Sequence, residues 1–300
     1  MPHVVVAGAS GFLGSALRGR LGAEGVEVRQ LVRHAPSGPG EVRWDPAQRL
    51  DPEVLRGALA VVNLGGASLA HWPWTASYRR AIISSRTTGT ATIARAVAEL
   101  ATDGDAPRLL QGSAVGFYGS RGDEVLDEHS AAGDTFLAHV CRAWEDSARV
   151  AEDAGAAVVR LRTGLVLAPS GGAVAPLYRL LRLGLGGWFG DGRQWWPWIS
   201  LRDHVASVVH LLRSDLTGPV NLTAPEPARN KDLVRALGGA LHRPTLLPAP
   251  APALRLVLGQ AADDLLLASQ RVLPVALQDD GFGWTDAGPG DVARYVAGSG

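Results

Sequence analysis

Gly8, Gly11 and Gly14 stand three apart directly behind Val4-Val5-Val6, a pattern that could hold a diphosphate. A strand that stops at a glycine and re-emerges as a helix leaves backbone N–H groups unpaired, and the helix dipole there favours an anion. The first glycine permits the sharp turn, the second lets the diphosphate approach the backbone, and the third lets the helix pack on the strand. With the residues between and beside them, the expected cradle is Gly8, Ser10, Gly11, Phe12, Leu13 and Gly14. Other reactive residue types are sparse. Cys141 lies between Val140 and Trp144 on an amphipathic stretch and reads as a small buried hydrophobe rather than a nucleophile. Asp127, Glu128 and His129 form a polar loop of the kind that is usually just solvated. No metal-ligand set is expected.

The elements that must position this turn alternate in type. Strand-like segments at Val26–Val32, Glu41–Trp44, Ala60–Leu64, Arg108–Gln111 and Ala157–Leu161 are interleaved with helix-like ones at Arg86–Ala101 and Asp134–Ala154. Such alternation predicts right-handed crossovers and a doubly wound parallel α/β sheet of the Rossmann kind. Beyond residue 165 the pattern changes. Gly184–Trp198 is rich in glycine and tryptophan, and Pro244–Pro252 is a proline-rich connector. The expected organisation is a dinucleotide-binding domain at 1–165 and a smaller C-terminal, substrate-side lobe at 166–300, with later strands free to rejoin the main sheet. The formal net charge of zero argues against nucleic acid and anionic membranes as partners. One cysteine excludes an intramolecular disulfide and fits a reducing, cytoplasmic setting. The first strand begins almost at Met1, which leaves no room for a signal peptide, and no apolar run reaches membrane-spanning length.

GASGFLG at Gly8, NLGG at Asn63, SRTTGT at Ser85, GSAVGFYG at Gly112 and LRTGLVL at Leu161 resemble the extended short-chain dehydrogenase/reductases, in their epimerase/dehydratase group. WDP at Trp44, FLAHVCRAWE at Phe136, LGLGGWFGDGRQWWPWI at Leu183 and SQRVLP at Ser269 are similar to an epimerase-like subgroup with a C-terminal domain of unknown function, here about residues 244–300. The resemblance implies that Leu64 and Gly65 line the adenine and ribose side, that Arg86 lies close to the cofactor, and that Leu165 meets the nicotinamide end. Cofactor preference turns on the end of the second strand. An NAD site usually carries Asp or Glu there, whereas this strand ends in Val32, Arg33 and His34. A guanidinium can fork onto a 2′-phosphate, so NADP(H) is expected, a solvated surface arginine being the other reading of Arg33.

The resemblance also implies a proton relay of serine, tyrosine and lysine. Ser113 stands at the serine position, but aligning Glu145 on the family's helix puts Leu137 at the tyrosine position and Cys141 at the lysine position. The only lysine, Lys231, has Pro227 four residues before it. The usual dyad is therefore not expected. Tyr118, five residues after Ser113, could face the same cleft, with packing under the sheet edge as its other role. Without a nearby cation its phenol would stay near a pKa of about 10. Trp188, Trp195, Trp196 and Trp198 either pack the second lobe onto the body or wall an apolar pocket with Arg193 or Gln194 for polar contacts, and Trp72 and Trp74 could cover it. The expected substrate is an unidentified small molecule, apolar or aromatic, and the expected state a monomer or homodimer. Two functions remain open. One is an NADP(H)-dependent oxidoreductase or epimerase-like enzyme using Ser113 and Tyr118. The other is a non-catalytic NADP(H)-binding regulatory or redox-sensing protein.

Overall fold

The computed structural model describes residues 3–170, 172 and 175–298. Its first strand, β1 (His3–Ala7), is buried on both faces. Val4 and Val6 enter one core with Leu17 and Leu21 of α1 (Phe12–Ala23), while Val5 and Ala7 enter the other with Ile93, Val97 and Leu100. That two-sided burial is what a continuous β-branched run encodes in a parallel sheet with helices on both faces. The remaining strands follow as β2 (Glu27–Val32), β3 (Glu41–Arg43), β4 (Ala58–Asn63), β5 (Arg108–Ala114), the two-residue β6 (Val125–Leu126) and β7 (Val158–Thr163). A later strand, Gly218–Leu222, pairs parallel with β7. The main sheet is thus seven-stranded and wholly parallel, in the order Gly218–Leu222, β7, β5, β4, β1, β2, β3. The order reverses between β1 and β4, where a ligand crevice is expected beyond the strand ends.

Several boundaries differ from the sequence expectation for local reasons. The helix expected from Arg86 begins ten residues earlier, as α2 (Ala76–Thr102), because the Thr75 side chain caps it by accepting the Tyr78 N–H. Strand β5 continues through Gly112-Ser113-Ala114, which pair with Leu161–Thr163. The helix expected over Asp134–Ala154 is two, α3 (Phe136–Asp146) and α4 (Arg149–Asp153). Ser147 Oγ donates back to Ala143 O at 2.6 Å and the Ala148 N–H turns to Glu145 O, which tightens and ends the first helix.

After residue 165 the chain builds a second core around Leu177, Leu181, Trp196, Trp198, Leu233, Leu237 and Val296. It is stitched to the body at several points. Arg271–Val272 pairs with β6, and Gly218–Leu222 with β7, while Leu165–Leu167, which follows directly on β7, pairs with Trp198–Ser200. These pairings tie the chain beyond residue 165 to the body. No helix among the described residues is long and apolar enough to cross a membrane.

Candidate functional site

The glycine turn is built as its spacing requires. Gly8 has φ +81°, and a Cβ there would lie 2.9 Å from the Gly65 amide nitrogen. A Cβ on Gly14 would strike Gly8 O and lie 2.8 Å from Ala9 Cα, so the helix start rests directly on the turn. Gly11 is different. It is the N-cap of α1, and a Cβ added there would meet only Gly8 O, at 3.2 Å. The first α-type bond of the helix runs from the Ser15 N–H to Gly11 O at 2.8 Å, so the amides ahead of it have no partner within the helix. This is a backbone cradle that a side chain at position 11 would fill.

A groove of about 1150 Å³ opens from this cradle beyond the strand ends. Gly8, Ser10, Gly11, Val32, Arg33, Leu64 and Gly65 line it, with Trp44 and Asp45 contributed from beyond β3. The loop after β4 is held by Asn63, whose Oδ1 accepts the Gly65 N–H at 3.2 Å while Nδ2 donates to Thr90 and Gln111. Arg33 is exposed and makes no ion pair among the described residues. With Arg43 and Arg49 it borders an adjoining hollow of about 580 Å³, where Arg49 is paired to Glu99. Reading β2 alone overlooked the carboxylate of Asp45 on the same groove. That side chain accepts the Ala47 N–H at 2.9 Å, which fixes its loop.

Leu64, Gly65 and Gly66 also form one wall of a second, largely apolar cleft of about 370 Å³, so the two spaces adjoin. Phe12, Leu13, Arg86, Ser113, Leu137, Cys141, Trp144, Leu165, Trp196 and Asp264 border this cleft. Gly14 borders neither space and acts through packing alone. Arg86 tucks under Gly66, where a Cβ would come within 3.1 Å of its guanidinium carbon. Its Nη1 donates to Ala67 O and Ile82 O, and the guanidinium lies 5.0 Å from the Trp144 ring. Burial without a carboxylate partner lowers its pKa. Trp144 can approach β5 only because residue 112 is glycine, a Cβ there falling 2.9 Å from the indole.

Ser113 Oγ donates to Glu145 Oε1 at 2.6 Å. Glu145 in turn accepts two bonds from Arg162, at 2.9 and 3.0 Å, with both side chains about 5% exposed. The Ser113 proton is therefore committed inward, and its lone pairs are what it can offer the cleft. Tyr118 does not border that cleft. It is fully buried, donating to Asn221 Oδ1 at 2.7 Å and accepting from Arg162 Nη1 at 3.0 Å. Burial outweighs the neighbouring guanidinium and pushes its pKa up to about 12. The cation that sequence reasoning did not find beside this phenol is Arg162, brought in from β7. Cys141 does reach the cleft, but burial pushes its thiol to about 12, in keeping with an inert small hydrophobe.

The tryptophans divide. Trp196 reaches the cleft. Trp198 is buried in the second core, Trp195 Nε1 donates to Asp123, and Trp188 lies under Lys231 at 4.2 Å. Gln194 is spent on Phe189 O and Leu266 O, and neither it nor Arg193 borders the cleft. Trp74 packs edge-on against Phe136, and Trp72 is 41% exposed. Glu128 is buried and accepts the Asn221 and Ala276 N–H groups, far from solvated-loop behaviour. Asp264 had no sequence signal, being brought to Leu137 across 127 residues of chain.

Comparison with known proteins gives the family and the fold. A family model described as the NAD dependent epimerase/dehydratase family matches residues 4–222, and a domain of unknown function (DUF1731) matches residues 249–287. An epimerase family protein of Mycobacterium bovis is 40% identical over 295 residues, covering 98% of this chain and 97% of that protein. The crystal structure of the human epimerase family protein SDR39U1 (isoform 2) with NADPH superposes with a TM-score of 0.90 at 30% identity, over 99% of each chain. A nucleoside-diphosphate sugar epimerase from Corynebacterium glutamicum gives 0.80 at 34% identity, over 99% of this chain and 59% of that one. The chain belongs to the NAD dependent epimerase/dehydratase family.

Proposed function

We propose that the protein is an NADP(H)-dependent, epimerase-like oxidoreductase acting on a small and largely apolar substrate. The observation that carries this reading is the continuity of the groove, from Arg33 past the Gly11 cradle and across Leu64–Gly66 to the apolar cleft at Ser113 and Leu165. The amides at the start of α1 would hold the diphosphate, Arg33 a 2′-phosphate, and Arg86 and Leu165 the nicotinamide end. The NADPH in the human relative's crystal structure supports the same choice of cofactor. When bound, the nicotinamide supplies hydride exchange. Ser113 Oγ, its own proton held by Glu145, offers its lone pairs to a polar hydrogen of the substrate other than the one on the reacting oxygen. Tyr118 serves as packing and as a hydrogen-bond bridge between Arg162 and Asn221 rather than as a proton donor.

Leu137 and Cys141 stand where the family's phenol and amine would be, so proton transfer has to come from another group. The apolar lining favours a compact hydrophobic or aromatic carbonyl or alcohol over a nucleotide sugar, which would need many polar partners. Its unpaired cysteine is in keeping with a cytoplasmic setting. The committed Ser113 proton and the absent dyad favour a second reading, a regulatory protein that binds NADP(H) without turnover.

Fluorescence titration with NADPH and NADH tests the cofactor assignment. Arg33 is exposed, so the gain from its charge-assisted contact is about tenfold in favour of NADPH. Arg33→Ala abolishes that preference while leaving NADH affinity near its parent value. Equal affinities in the parent would remove Arg33 from its role. Oxidation of NADPH with a panel of aldehydes, ketones and quinones then separates enzyme from sensor.

A further inference from the structure

Within the described lining of the apolar cleft, Asp264 is the only carboxylate and Arg86 the only cation. Asp264 comes from the second lobe, on the π-helical turn Ala262–Leu267, a local geometry that recurs at functional sites. Its Oδ2 accepts the Leu137 N–H at 3.3 Å, in the first turn of α3. Among the described residues Oδ1 has no hydrogen-bond partner. Leu137 is the residue standing at the family's tyrosine position. Its Cβ packs against Gly116, a neighbour it shares with the Cys141 sulfur. Asp264 therefore lines the cleft with its carboxylate held at the backbone of the residue in the family's tyrosine position.

We infer that Asp264 is the acid–base residue of this cleft, exchanging a proton between Oδ1 and the substrate oxygen in place of the absent phenol. This rests on the reading of the cleft as the nicotinamide end of the groove. When the substrate oxygen gains negative charge, the O–H bond of the carboxylic acid breaks and an O–H bond to that oxygen forms. A carboxylate remains, which water reprotonates; in the opposite direction the carboxylate takes the hydroxyl proton.

The surroundings suit the task. Partial burial raises the Asp264 pKa, the Leu137 N–H opposes that rise, Asp263 on the same turn adds to it, and Arg79 of α2 lowers it. Asp263 is itself paired with Arg255 at 2.9 Å, and Arg86 faces the same cleft from α2. A purely structural account would make Asp264 a tether between the second lobe and α3. Asp264→Asn keeps an acceptor oxygen for the Leu137 N–H, so it preserves the tether and removes the acid.

The test is ¹³C NMR of protein labelled at the aspartate carboxyl carbon, titrated with saturating NADPH and with saturating NADP⁺. The signal lost in Asp264→Asn should titrate above the other aspartates. Its midpoint should lie about one pH unit lower with NADP⁺ than with NADPH, since the oxidised ring adds a positive charge beside the carboxylate. An Asp264 signal that titrates with the bulk of the aspartates, or with the same midpoint in both complexes, overturns the assignment. Failure of either dinucleotide to bind the parent would instead overturn the cofactor reading. Asp264→Asn, which stands in for the protonated acid, should correspondingly lose about tenfold in NADP⁺ affinity relative to NADPH above the carboxyl's midpoint, whereas a tether remote from the ring predicts no change in that ratio.

Discussion

Replacing Glu145 with alanine should destabilise the protein by about 3–5 kcal/mol, because it strands a buried guanidinium. Arg162 and Glu145 are almost completely withdrawn from water and joined by two nearly parallel bonds. The attraction within such a pair is largely offset by the desolvation of both ions, so the intact pair contributes little net stability. The asymmetry lies in its disruption. Without Glu145, Arg162 retains only neutral acceptors, Tyr118 Oη and Glu128 O, and the face of Phe117 3.5 Å away. Ser113 loses its acceptor as well. For a chain of this length each kcal/mol moves the midpoint by about 1.6 °C, so Tm should fall by about 5–8 °C in a calorimetric or circular-dichroism melt. The double variant Glu145→Leu with Arg162→Met removes both charges and should recover most of that loss. A shift below about 1 °C for Glu145→Ala, or a double variant no better than the single one, would refute the stranded-charge account.

Two further perturbations separate binding from packing and define an acid limit. Gly11→Val should abolish dinucleotide binding in a folded protein, since its side chain projects into the open cradle, whereas Gly14→Val should fail to fold, its Cβ colliding with Gly8 and Ala9. Unchanged NADPH affinity in folded Gly11→Val would sink the cradle assignment. His204 is buried with Nδ1 unpartnered, and burial holds its pKa down to about 4. The unfolded chain takes up that proton near pH 6.5 and the folded one only near pH 4, so stability falls as pH drops through this window, by roughly 3 kcal/mol. Urea unfolding at pH 7 and pH 4.5 should show a smaller acid loss for His204→Asn than for the parent, and equal losses would refute it.

The glycine turn and the groove that opens from it were legible because they are encoded locally. Val4–Gly14 carries strand, turn and helix start within one short run, and each glycine stands where a Cβ would crowd neighbouring backbone. Alternation of strand and helix patterns likewise gave the parallel sheet, since β-branched runs buried on two faces have few other uses. Arg33 could be read from the end of β2, but Asp45 could not, because it reaches the same groove only after β3 folds beside β2. The helix break at Ser147 depends on one side chain competing for a backbone carbonyl, which periodicity does not register.

The other half of the groove is assembled from side chains that meet only in three dimensions. Tyr118 carried the same local signal whether it faced a cleft or lay under the sheet. The choice was made by Arg162 and Asn221, and Asn221 comes from the last strand to join. Glu145 marked the family's helix in the sequence, yet its role became visible only once β7 supplied Arg162. The diphosphate can be gripped by backbone amides, so its site survives in any sequence that keeps the turn. Proton transfer needs a titratable side chain at one point in space, and any element able to reach that point can provide it. Here the point beside Leu137 is reached from the second lobe by Asp264, which leaves the residues at the family's tyrosine and lysine positions free to become apolar.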